Sequence, residues 1–108
     1  MSPTARSLRY LRSHGWEAQV VERWIPRAKV RQDCFGIGDI LLMATGVIGL
    51  VQVTTAAHLA ERETKVRAHP NTAKWLHAGG RLWVHGWAKR GERGKRKVWH
   101  VTEREIAG

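Results

Sequence analysis

The 108-residue chain predicts one α/β domain with a central mixed β-sheet flanked by helices. Three observations carry that expectation. The neighbouring apolar runs Ile40–Met43 and Val47–Val51 are continuous, as in strands covered on both faces. Helix-forming segments lie before and after them. Two further Val- and Trp-rich segments close the chain, and a length of 108 residues holds one core, so residues 1–108 form a single domain.

Taken in order, Ser2-Pro3 supplies an N-cap and first helical position, Ala5, Leu8 and Leu11 an apolar side, and Gly15 a stop. Glu17–Ile25, rich in Val, Trp and Ile, reads as one strand ended by Pro26. Residues 27–38 are basic and then Gly-rich, which reads as a loop or an irregular strand entry. Thr45-Gly46 joins the two apolar runs as a two-residue hairpin. Thr54-Thr55 caps a helix over about 56–69, and a short helix over 72–78 ends at Gly79-Gly80. Residues 81–87 and 97–102 read as strands, completing the order α-β-β-β-α-α-β-β.

The charge narrows the function. Nineteen Lys and Arg against nine Asp and Glu leave a net +10. A surface this basic attracts a polyanion, nucleic acid foremost. The densest cluster, Lys89, Arg90, Arg93, Lys95, Arg96 and Lys97 with Gly91 and Gly94 among them, reads as a flexible finger on phosphates. Arg27, Lys29 and Arg31 form a second basic stretch. One cysteine, Cys34, excludes an internal disulfide framework and reads as a buried thiol; six histidines never fall in a zinc-ligand spacing. No apolar run is long enough to span a bilayer and no signal-peptide core opens the sequence, so a cytoplasmic location without membrane contact is the expectation.

The only two aspartates are Asp33 and Asp39. With a two-residue turn at Thr45-Gly46, paired positions place Asp39 opposite Gln52, and Thr54 shares their face. Asp and Gln oxygens, with the Val53 carbonyl as a third, are hard ligands suited to Mg2+ or Mn2+. On spacing alone, a satisfied polar pair where two strands reach solvent is the favoured reading.

Asp39 at the mouth of one strand and Gln52-Val53-Thr54 in the next resemble the D…(E/Q)xK signature of the PD-(D/E)XK nuclease superfamily. The wider frame is similar to archaeal-type Holliday-junction resolvases: a first helix ending near Gly15-Trp16, the Asp-opened hairpin, a following helix and a Gly79-Gly80 entry to a later strand. The resemblance implies a restriction-endonuclease-like fold and a metal-dependent endonuclease acting on branched DNA. It implies Mg2+ or Mn2+ at Asp39 and Gln52, and a homodimer making paired cuts. Thr54 stands where the family has lysine. That departure leaves two readings: a substitute from His58, Glu61, Lys65 or Asp33 completes the site, or the domain binds DNA without cutting it. Trp83, His85 and Trp87 share one strand face, suited either to a core or interface or to stacking on bases.

Overall fold

The computed structural model describes residues 1–108 and contains the expected mixed sheet between helices. Helix α1 (Pro3–Ser13) begins at Ser2, whose hydroxyl accepts the Ala5 N–H at 3.1 Å. Five strands form the main sheet in the order β1 (Glu17–Val20), β4 (Ile40–Ala44), β5 (Val47–Thr55), β6 (Arg81–Arg90) and β7 (Val98–Glu105). Only β5 and β6 run parallel. Their crossover is a single 3-10 turn (Ala56–His58), helix α2 (Leu59–Ala68) and helix α3 (Pro70–His77). No helix is long and apolar enough to cross a membrane.

The hairpin register is the one the turn dictates. Ala44 faces Val47 and Ile40 faces Val51, while Gly46 takes φ +76, which favours a residue without Cβ. Three expectations need correction. The segment 17–25 is not one strand, because the Val21 and Glu22 N–H groups both donate to the Asp39 carbonyl, at 2.8 and 3.2 Å, and turn the chain out of the sheet. Beyond this turn the chain forms a separate hairpin of β2 (Arg23–Ile25) and β3 (Val30–Gln32), which reaches into the stretch read as a loop. Thr55 holds the cap position before the crossover, but its side chain makes no capping hydrogen bond.

Side chains alternate between two cores. Ile40, Leu42, Val51, Val53 and Trp87 pack with Leu11 of α1. Leu50, Leu82 and Val84 pack with Leu59 and Val66 of α2. Trp83, His85 and Trp87 therefore face α1 and belong to its packing, with His85 wholly buried. A polar chain crosses that interface. The Trp87 indole N–H donates to Ser7 Oγ at 2.7 Å, and Ser7 Oγ meets His85 Nδ1 at 2.9 Å. His85 Nε2 lies 3.0 Å from Glu103 Oε2, and the Tyr10 hydroxyl donates to Glu103 Oε1 at 2.7 Å. Burial holds the His85 pKa below the ordinary histidine value, against the pull of Glu103. With a neutral ring donating from Nε2, every member has a partner, so the buried network is satisfied.

Ser7→Ala leaves the Trp87 N–H and His85 Nδ1 buried without that partner. It is expected to destabilise the domain by about 1–3 kcal/mol in urea denaturation, whereas Ser13→Ala, on the exposed end of α1, stays within ~0.5 kcal/mol.

Candidate functional site

Asp39 sits one residue before β4, 4% exposed, on the sheet face covered by α2. Its N–H donates to the Val51 carbonyl at 2.8 Å, extending the β4–β5 register by one residue. The side chain reaches across to β5, where Oδ2 accepts the Val53 N–H at 2.8 Å and the Gln52 amide at 3.0 Å. Asp39 and Gln52 are thus cross-strand neighbours. The expected convergence of their oxygens is corrected: the Gln52 nitrogen faces the carboxyl, and Val53 contributes its N–H there.

Around this pair lies a polar cleft of about 320 Å3 lined by Glu22, Arg31, Asp33, Asp39, Gln52, Val53 and Arg62. The lining is drawn from several pieces of chain. Glu22 occupies the turn out of β1, and Arg31 of β3 pairs with it at 2.8 Å. Asp33 follows β3, and Arg62 descends from the first turn of α2. Burial pushes the Asp39 pKa up to about 7, and a hydrogen bond with the Glu22 carboxyl pushes the same way against the Val53 N–H. Burial also raises Asp33, partly opposed by its backbone hydrogen bond and by His69 and Arg62.

The other expected site residues divide. Asp33 and Arg31 line the cleft. Thr54 is half-buried, paired with Gly86 of β6, and outside the cleft lining. His58 and Lys65 are exposed and turned to Glu61, at 3.7 and 3.2 Å, so neither enters it. From α2 it is Arg62 that lines the cleft instead. Glu22 and Arg62 are the members that sequence reading missed. Arg27 and Lys29 are exposed on the β2–β3 turn. Lys89, Arg90, Arg93, Lys95, Arg96 and Lys97 are exposed at the β6–β7 connection, which projects from the sheet end where the cleft lies. Cys34, expected to be buried, is half-buried against the α2-side core.

No three of the His, Cys, Asp and Glu side chains converge as a metal-holding group. Mg2+ does not demand one, since it commonly binds through one or two carboxylates and keeps water and phosphate as its other ligands. Asp39 and Glu22 line the same cleft and would supply such carboxylates, while Gln52 presents its amide nitrogen to Asp39. Comparison with protein-family models, curated proteins and solved structures finds no match.

The raised Asp39 pKa has a stability consequence with a definite sign. Between about pH 4 and pH 7 the native state holds a proton that an unfolded aspartate has lost, so this group's contribution falls as pH rises through that window. Asn keeps an oxygen for Val53 and Gln52 and adds a donor for Glu22. Asp39→Asn is expected to raise stability at pH 8 by roughly 2–4 kcal/mol and to change it little at pH 4, as measured by chemical denaturation at the two pH values.

Proposed function

We propose that the domain binds DNA and uses the Asp39 cleft as a divalent-cation site for phosphodiester hydrolysis, on branched DNA in the manner of PD-(D/E)XK resolvases. The observation that carries this reading is a buried carboxyl beside Gln52 and Glu22, rimmed by Arg31 and Arg62, in a chain of net charge +10. The Asp-opened strand, its hairpin, the following helix and the Gly-Gly-entered strand are formed in the order on which the resemblance rests. That order supports a restriction-endonuclease-like assignment.

On this reading Asp39 and Gln52 would hold Mg2+ or Mn2+, with Glu22 lining the same cleft. The ion, when bound, polarises the phosphate and lowers the pKa of a bound water. Arg62 takes over the cationic role that Thr54 cannot fill, placing a fixed positive charge where phosphate charge develops. Arg31, which pairs with Glu22 at the cleft rim, would add a second. The finger at 89–97 and the turn at 27–29 hold the backbone of the DNA on either side. Paired cuts across a branch point call for a two-fold-related homodimer.

A second reading, DNA binding without cleavage, is favoured by one observation. Asp39, Gln52 and Val53 already satisfy one another through their own hydrogen bonds.

Labelled four-way junction, flap and duplex DNA incubated with Mg2+ or Mn2+, and with chelator, separate the readings. The expected result is junction cleavage that requires the metal, disappears in Asp39→Asn and Arg62→Ala, and leaves junction binding intact in Asp39→Asn. An inert wild type that still binds junctions establishes the second reading. Cleavage surviving both chelator and Asp39→Asn rules out the metal site.

Binding itself is expected to weaken steeply with salt. Changing Arg90, Arg93, Lys95 and Arg96 together to Gln should flatten the log–log salt slope by about 0.9 for each duplex phosphate no longer neutralised, read by fluorescence anisotropy across a salt series.

A further inference from the structure

The loop between β3 and β4 carries Asp33 at one end and Asp39 at the other, and between them it exposes an aromatic ring. Phe35 is 62% exposed and sits at φ +57, a left-handed conformation that costs a residue with a Cβ. The conformation is held from outside. Asn71 of α3 donates its amide to the Phe35 carbonyl at 2.8 Å, and Gly36 fits so closely to His69 that a Cβ there would come within 2.6 Å of the imidazole.

Trp75 packs against Phe35 as a tilted aromatic pair, ring centroids 6.2 Å apart and inclined at 44°, and the two rings line a cleft of about 330 Å3. Trp75 is fixed as well: its indole donates to the Arg81 carbonyl at 2.7 Å, and its ring lies on Gly80, where no Cβ would fit. Lys74 lines the same cleft. The cleft thus joins two aromatic rings and a cation along a wall that is almost entirely apolar. A cleft of this volume is at the small end for ligand sites, which fits one planar group and not a duplex.

Resting on the proposed function, we infer that this cleft receives an unpaired nucleobase of the bound DNA, stacked on Phe35, while Lys74 meets its phosphate. Stacking on an aromatic face is indifferent to base identity, because every base has a π-face. The charge of the chain delivers the polyanion, and the loop that bears Phe35 also bears Asp33 of the carboxyl cleft. The substrate is thereby specified as DNA that carries an unpaired nucleotide, as at a branch point or a tail, in preference to continuous duplex.

The test runs in chelator, so that no cleavage enters it. Three probes are compared by anisotropy at low salt: a blunt duplex, the same duplex with a thymidine tail, and the same duplex with an abasic tail of equal length. The abasic tail keeps the phosphates and removes the bases. The expected result is a preference for the thymidine tail over the abasic tail on the order of tenfold. Phe35→Leu, which keeps apolar bulk without a π-face, removes that preference and leaves blunt-duplex affinity unchanged; Phe35→Trp retains it. Equal binding of the two tails, or a preference that Phe35→Leu does not touch, overturns the inference and leaves the proposed function standing. Failure to bind any of the three probes overturns the proposed function, and the base site with it.

Discussion

One aspartate holds three strands together. The Asp39 carbonyl accepts the Val21 and Glu22 N–H groups where β1 ends, its N–H donates to Val51, and its side chain accepts from Gln52 and Val53. The turn out of β1, the mouth of β4 and the far half of β5 are therefore tied at a single residue. Two members of the cleft inherit their position from that knot, Glu22 through the turn and Gln52 through the register. A carboxyl so used must be buried, and a buried carboxylate without a counter-charge is expensive. The chain meets the cost with a proton at Asp39 up to about pH 7. A cation in the same place would meet it differently, by displacing that proton.

The rest of the surface is arranged around this small acidic spot. Most other carboxylates are occupied: Glu61 by Lys65, Glu63 by Arg67 and Arg104, Glu92 by Lys95, Glu105 by Arg81. These pairs are mostly exposed and contribute little to stability individually. Their effect is on the field: they cancel charge along α2 and β7 and leave the excess cations at the β2–β3 turn, the first helix and the 89–97 finger. Two of those cations also fix the finger's root, because the Arg6 guanidinium lies 3.7 Å from the centroid of Trp99 and the Lys89 ammonium 5.5 Å from it. The finger thus springs from an anchored base.

How much was legible in the sequence depended on the range of the interactions involved. The β4–β5 register depends on a two-residue turn and a face alternation, both local, and Asp39 opposite Gln52 could be read from them. The break at Val21–Glu22 could not, because it is enforced by the Asp39 carbonyl, far along the chain. Nor could the choice of Arg62 over Lys65. Helix α2 buries only Leu59 and Val66, too sparse a stripe for its phase to be read from the sequence. The Ser7–His85–Glu103 chain joins groups 78 residues apart at its first link, with no motif to announce it. The missing lysine at Thr54 was plain in the sequence; that a cation reaches the cleft from α2 was visible only in the fold.

The proton on Asp39 links the two ligands of the proposed function. A cation and a proton compete for one carboxyl, so cation affinity must rise with pH until the proton is gone. Phosphate acts on the same balance from the other side. A DNA backbone drawn over the cleft by Arg31 and Arg62 adds negative charge beside Asp39, which favours the cation and the proton alike. Which of them arrives is then decided by pH and by cation concentration, not by the protein's own geometry. On that function Gln52 would make this balance sharper than a second carboxylate there, because a neutral amide adds no charge that would hold the proton more tightly. With Glu in its place the cleft would bind a metal more strongly but would also burden the buried knot with one more like charge. On the proposed function, the neutral residue at position 52 is thus what would let the aspartate that ties three strands also serve as a conditional ligand.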